Sequence, residues 1–231
     1  MMSIEDNEQG KQTALKGDAL LLNYLVRQPI TTQSKPPVMI LLHGVGGNEK
    51  NLFQYAAMLP PEYLVIAARA PYVLGADSYG WFHVSFATGK PVIEAEEAEK
   101  SRIILRQFIS QIIEYYNADS TSVYLAGFSQ GAIMCYSMAL IHPGRIKGIA
   151  ALSGRVLPEI KPLVKASDTL SKLRVLISHG VNDTKLPVHY ARDAKEYIEL
   201  LHIHLTYVEW PDTGHLVNQA IVERLVAWMR G

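Results

Sequence analysis

Five short runs along the chain are apolar almost without interruption: residues 38–42, 63–67, 123–126, 146–152 and 173–177. Runs of this length with no alternation predict strands covered on both faces, as in parallel sheets. Residues 203–208 alternate more and predict an outer strand, and residues 20–26 predict an antiparallel strand that opens the sheet. Between these runs the spacing becomes helical. Across residues 93–117, Ile104, Phe108, Ile112 and Tyr116 recur four apart as one apolar stripe. The first turns of that segment carry Glu94, Glu96, Glu97 and Glu99, where a helix dipole favours negative charge. Ala191, Ala194, Ile198 and Leu201 predict a second helix, and Ile221, Leu225 and Trp228 another near the C-terminus. Strand and helix in alternation predict the α/β class: one mostly parallel central sheet with helices on both faces.

Residues 71–92 fit neither period. They carry Gly and Pro punctuation and several aromatics, and read as one long loop. Loops of this length in compact domains are usually functional or disordered, and the aromatic content argues against disorder. Aromatics exposed there would suit a homodimer contact.

Composition narrows the functional classes. The 231 residues are enough for one α/β domain, expected over residues 16–231 after a mobile segment at 1–15. Lys+Arg and Asp+Glu balance at 22 each, so no net charge draws the chain to nucleic acid or to an anionic membrane. No apolar stretch reaches the roughly 18 residues of a membrane span. The opening MMSIEDNEQGKQ has no basic or apolar region of a secretory signal. Cys135 is the one cysteine and lies in an apolar run, so no intramolecular disulfide can form. Together these features predict a cytoplasmic protein. No Cys/His cluster has zinc spacing, and neither a metal nor an organic cofactor is expected.

The chemistry centres on YLAGFSQGAIM, residues 124–134. An apolar run enters Gly127-Phe128-Ser129-Gln130-Gly131, and a helix-compatible run follows. A strand-to-helix turn this tight strains its middle residue, and side chains two before and two after would clash, hence glycine at both places. The turn presents the Ser129 hydroxyl at its apex, beside a helix N-terminus whose free amides can bind developing negative charge. A serine hydroxyl needs a histidine base, and the base needs an acid to fix its tautomer. Two later strands end in such residues, one running into Ser178-His179-Gly180-Val181-Asn182-Asp183 and the next into Pro211-Asp212-Thr213-Gly214-His215. The order Ser129, Asp183, His215 is that of α/β-hydrolases. Among the eight histidines, His43 is better read as a brace for its own loop and His179 as a structural partner of Asp183. His83, in the aromatic segment, is a candidate for substrate contact. Asp212 is the rival acid, but three residues from His215 it suits a turn better. An oxyanion hole needs donors aimed at the developing charge. The Gln130 amide supplies one. The second comes from Leu42-His43-Gly44-Val45-Gly46-Gly47-Asn48, with Val45 assigned and Gly44 or Gly46 as alternatives.

Taken together, LLHGVGGNEKN, YGWF, GFSQGAIM, ALSGRVLP, LISHGVNDTKLPV and the final TGH resemble the small serine carboxylesterases that include acyl-protein thioesterases and lysophospholipases. The likeness runs from about Leu41 to the C-terminus. It implies an α/β-hydrolase fold with minimal cap, Ser129, Asp183 and His215 as the triad, and Val45 and Gln130 as oxyanion donors. Trp81, Phe82, Leu186 and Val156 would line an apolar substrate pocket. Two departures stand out. Thr213 replaces the methionine that often precedes the final Gly-His. Arg155 follows Ser153-Gly154 where the family tends to be apolar or aromatic; turned into the cleft it would favour an acidic or polar substrate group. The expected reaction is hydrolysis of a small carboxylic ester, with thioester or protein deacylation and lysophospholipid cleavage as alternatives. A non-catalytic binding protein on the same fold would have a broken triad.

Overall fold

The computed structural model describes residues 12–13, 20–31, 34–85 and 92–231. The segment expected to be mobile, 1–15, lies outside these except for residues 12 and 13. Eight strands form one sheet: β1 (Gln12–Thr13), β2 (Tyr24–Arg27), β3 (Val38–Leu42), β4 (Leu64–Ala68), β5 (Val123–Phe128), β6 (Gly148–Leu152), β7 (Arg174–Gly180) and β8 (His204–Trp210). Their order is β1-β2-β4-β3-β5-β6-β7-β8. β2 runs antiparallel to β1 and β4, and the six strands from β4 to β8 are mutually parallel. Four principal helices cover the sheet: α1 (Ala95–Tyr115), α2 (Gln130–Ile141), α3 (His189–Leu200) and α4 (Gln219–Met229).

The unbroken apolarity of the central strands has a direct cause. Val38, Ile40 and Leu42 of β3 pack in one core layer with α1, α2 and α3. Met39 and Leu41 pack in the other, under α4 and the short helix Lys50–Phe53. Both faces of each central strand are therefore out of water, and no polar alternation survives. The edge strand β8 is half-buried along most of its length, which is why its sequence alternates. No helix among the described residues is long and apolar enough to cross a membrane. Cys135 is buried in α2, and that burial pushes its thiol pKa well up.

Two expectations need correction. In α1 the buried positions are Ala98, Ser101, Arg102, Leu105, Phe108, Ile109 and Ile112, while Ile104 sits half-buried on the flank and Tyr116 caps the helix end. A strict four-residue repeat drifts about 40° per step around a 3.6-residue helix, so it cannot stay on one face. Residues 71–92 are also not one long loop. They hold two antiparallel ribbons, Tyr72–Gly75 with Ser78–Gly80 and Val84–Ser85 with Val92–Ile93; residues 86–91 lie outside the described residues. Strands of two to four residues are too short to show a period. Between the ribbons, Trp81 and Phe82 are 0% exposed, so neither is available for the dimer contact that surface aromatics suggested.

The sharpest local fit lies where β5 turns into α2. A Cβ on Gly131 would stand 2.0 Å from the Leu42 carbonyl oxygen, and one on Gly127 would stand 2.3 Å from the Gly131 backbone. Both neighbours are main chain and cannot swing aside. Gly131→Ala should therefore destabilise the protein by about 3 kcal/mol or more, the upper range for overpacking. A urea-unfolding midpoint measured beside that of the unaltered chain checks this.

Candidate active site

Ser129 stands between β5 and α2 with φ 54° and ψ −116°. For a residue with a Cβ this is a strained conformation, costing about 1–3 kcal/mol. Backbone bonds hold it: Ser129 N–H donates to Leu152 O at 2.9 Å, and Ile133 N–H donates to Ser129 O at 3.1 Å. The side chain is thereby fixed at the carboxyl end of the sheet, where open parallel sheets place their ligand sites.

His215 reaches Ser129 from the loop after β8. Its Nε2 lies 2.9 Å from Ser129 Oγ, and its Nδ1 lies 2.6 Å from Asp183 Oδ2. The Asp183 side chain is 0% exposed and the His215 side chain 18%. Asp183 Oδ1 accepts from the backbone amides of Lys185 and Leu186, at 2.9 and 2.8 Å. These bonds hold the buried carboxyl group in place. Asp212, the rival acid, is exposed on its turn, and the Nδ1 of His215 faces Asp183 instead. The loops after β7 and β8 are also tied to each other. Asn182 N–H donates to Thr213 O at 3.0 Å, and a Cβ on Gly180 would meet that same carbonyl at 2.2 Å.

The backbone amides of Val45 and Gln130, both on the cavity wall with Ser129, have no protein acceptor among the described residues, and neither has that of Gly44. Gly46, one alternative to Val45, is already engaged, since its N–H donates to Tyr79 O at 2.8 Å. Gly44 lies against Ser129; a Cβ there would stand 3.3 Å from that of Ser129. The Gln130 side chain has a further task that sequence reasoning missed. Its Oε1 accepts from Trp81 N–H and its Nε2 donates to Phe82 O, both at 2.7 Å. The Trp81 indole N–H donates to His43 O at 3.0 Å. One buried amide and one indole thus pin the aromatic segment to the serine turn and to the glycine-rich loop.

A cavity of about 310 Å³ opens beside Ser129 and His215. Of the pocket residues expected from sequence, Phe82, Leu186 and Arg155 line it. Trp81 and Val156 do not: the Trp81 indole is spent under the glycine-rich loop, and Val156 packs against the core. Val84, Ile93, Phe128, Ile133 and Lys185 complete the wall and were not anticipated. Ile133 had a readable signal, because it lies four residues after Ser129 on the same side of a helix. His83 is exposed and bound to Glu97 at 2.8 Å rather than facing the cavity. Among the described residues no group of three or more His, Cys, Asp or Glu side chains could hold a metal ion.

Burial decides the state of two other histidines. His43 Nδ1 lies 2.7 Å from Gly44 O and its Nε2 accepts from Ala70 N–H at 3.0 Å. Burial lowers its pKa, outweighing the Gly44 bond. His179 Nε2 lies 2.7 Å from Leu186 O and 3.3 Å from Asp183 Oδ2. Burial lowers its pKa as well, against the pull of Leu186 and Asp183. Both rings are neutral braces.

The family model described as phospholipase/carboxylesterase matches residues 26–230 of the chain. Among curated relatives, acyl-protein thioesterase 1 of Kluyveromyces lactis is 23% identical over 212 residues, covering 87% of this chain and 92% of that protein. Esterase YpfH of Escherichia coli is 27% identical over 198 residues, covering 78% of this chain and 76% of that protein. The crystal structure of a carboxylesterase from Mesorhizobium loti superposes with a TM-score of 0.80 at 21% identity, covering 95% of this chain and 99% of that one. The fold is the α/β-hydrolase fold.

The neutral braces have a consequence for stability. A histidine depressed in the folded state gains its proton more readily when unfolded, so the unfolded chain binds more protons below the ordinary histidine value of 6.5. Stability is then complete above that value and falls as pH drops from it toward the depressed folded values. These two groups give a limiting slope of about 2.7 kcal/mol per pH unit, and His142, lowered by partial burial and by Arg102, adds to it in the same direction. Carboxylates whose pKa is lowered by pairing, such as Glu209 at about 2 beside Arg192, add losses only below their ordinary 4.5. Unfolding free energies measured between pH 7.5 and 5 should therefore decline mainly below pH 6.5.

Proposed function

The chain belongs to the phospholipase/carboxylesterase family, and from that premise we propose that it cleaves small carboxylic esters through an acyl-enzyme formed on Ser129. The family and the relatives named esterase and carboxylesterase make it an ester-cleaving hydrolase. The finer assignment is supported by one observation above all: the unbroken relay from Ser129 Oγ through His215 to the buried Asp183, at 2.9 and 2.6 Å.

In this reading His215 Nε2 takes the Ser129 proton as Oγ attacks the carbonyl carbon of the ester. The amides of Val45 and Gln130 bind the oxyanion of the tetrahedral intermediate, where preformed donors in a dry site act most strongly. Collapse breaks the bond to the alcohol, which leaves with the proton held by His215. Water then attacks the acyl-enzyme, gives its proton to His215, and releases the acid and Ser129. Asp183 holds the His215 ring in the tautomer that presents a free Nε2 to the serine. Acyl thioesters fit the same steps with a thiol leaving group, as the name of the Kluyveromyces lactis relative suggests. A non-catalytic protein would have no need of the contacts at Ser129. We take residues 16–231 as the working domain. We place the protein in the cytoplasm, where a lone buried Cys135 stays reduced.

A fluorophosphonate probe should label Ser129, and Ser129→Ala should remove the labelling. Persistent labelling of that variant would sink the assignment. Asp183→Asn should lower kcat on a p-nitrophenyl ester by about 10³- to 10⁴-fold, the size such a change has in other triads. Comparing p-nitrophenyl esters with acyl thioesters then ranks the two leaving groups.

A further inference from the structure

Among the described residues the cavity beside Ser129 carries two cations, Arg155 and Lys185, and no carboxylate on its wall. The chain brings Arg155 there by a tight turn. Ser153 has φ 51°, and a Cβ on Gly154 would stand 2.4 Å from that of Ala132, in the first turn of α2. β6 therefore passes close over the start of the helix that follows Ser129, and its next residue arrives at the cavity. The guanidinium of Arg155 lies over the Tyr190 ring, 5.3 Å from its centroid. It makes no hydrogen bond or ion pair within the described residues, and its Nε is fully buried without an acceptor. Lys185 stands on the same wall, two residues after Asp183, and its ammonium has no carboxylate partner there either. The rest of the wall is mainly apolar, from Phe82, Val84, Ile93, Phe128, Ile133 and Leu186.

A partly desolvated guanidinium in apolar surroundings is costly unless an anion completes it. Three paired arginines show the contrast. Arg69, Arg102 and Arg192 each hold a carboxylate through two bonds, from Glu49, Glu99 and Glu209. Arg155 has its guanidinium over the Tyr190 ring and no acceptor for it among the described residues. We infer that Arg155, with Lys185 beside it, binds a carboxylate carried by the substrate, so that the preferred substrates are small half-esters holding a free carboxylate and the scissile ester on one short apolar chain. The planar fork matches a carboxylate through two parallel hydrogen bonds. The cavity, about 310 Å³, suits a small molecule. This substrate class rests on the reading that Ser129 attacks esters in this cavity.

Matched ester pairs on the full chain test it, with hydrolysis followed by pH-stat. Monomethyl adipate against methyl 6-hydroxyhexanoate places the charge on the acyl half. 5-Acetoxypentanoate against 5-acetoxypentan-1-ol places it on the alcohol half. The charged member of at least one pair should have the higher kcat/KM by about tenfold, the gain from one charge-assisted pair. That ratio should fall toward one in Arg155→Met, stay intermediate in Arg155→Lys, and shrink at high salt. Circular dichroism checks that both variants fold. Equal or better turnover of the neutral member in both pairs overturns the proposal, as does a preference that survives Arg155→Met. If none of the four esters is cleaved, calorimetry with monomethyl adipate separates the cases. Binding that is lost in Arg155→Met keeps the anion site and removes the Ser129 chemistry; absence of binding removes both.

Discussion

The closeness of Gly131 to the end of β3 governs the arrangement of the site. With no side chain at residue 131, the first turn of α2 presses against the carbonyls of Leu42 and His43. Two separate pieces of chain are thereby set at a fixed distance. One is the strained turn at Ser129; the other is the glycine-rich stretch that runs on from His43 and carries the Val45 amide. The hydroxyl and one free amide come from opposite sides of this contact, and the Gln130 amide comes from the same turn as the hydroxyl. Any loosening of the contact would move the serine away from the glycine-rich stretch. The strain at Ser129 persists because the Leu152 and Ile133 bonds and the Gly131 contact over-determine it.

The other half of the site is built by a second lock. The loops after β7 and β8 share the Thr213 carbonyl, which accepts from Asn182 and lies over Gly180. Asp183 and His215 are thus positioned together, as one unit, against a serine fixed elsewhere. The aromatic segment is the third piece, and the Gln130 side chain carries it. Backbone and side chain of one residue are placed differently: the amide belongs to the turn beside Ser129, and the carboxamide fastens Trp81 and Phe82. A substitution at Gln130 would leave the amide and still release the cavity wall.

The strands were legible because burial on both faces leaves a continuous apolar run. The Ser129 turn was legible because its pentapeptide is a local pattern and Gly127 answers to the Gly131 backbone four residues on, although Gly131 itself answers to the distant Leu42 carbonyl. Asp183 and His215 could be nominated because each follows a strand end. The cavity wall was much less readable. Val84 and Ile93 come from a ribbon too short to carry a period. Trp81 was expected to face substrate, yet its indole N–H finds the His43 carbonyl, a partner 38 residues away. Arg155 could be flagged from sequence as unusual, but only the fold shows that the turn at Ser153-Gly154 sends it to the cavity. Sequence carries local constraint well. It carries side-chain direction poorly, because direction depends on neighbours from other strands.

The two buried histidines show how local order and site chemistry join. His43 and His179 each stand within hydrogen-bond distance of a loop carbonyl, Gly44 O and Leu186 O. A buried lysine or arginine could reach the same carbonyls, but it would bring a fixed positive charge. Beside Asp183 that charge would matter. A cation 3.3 Å from Oδ2 would share the carboxylate with His215 and weaken its hold on the Nδ1 proton. Burial lowers the pKa of His179 and keeps it neutral, so it shapes the loop without neutralising the acid. The Oδ2 of Asp183 stays directed at His215 Nδ1, and the Nε2 of that ring at the Ser129 hydroxyl. Desolvation of one histidine thus leaves the acid to hold another.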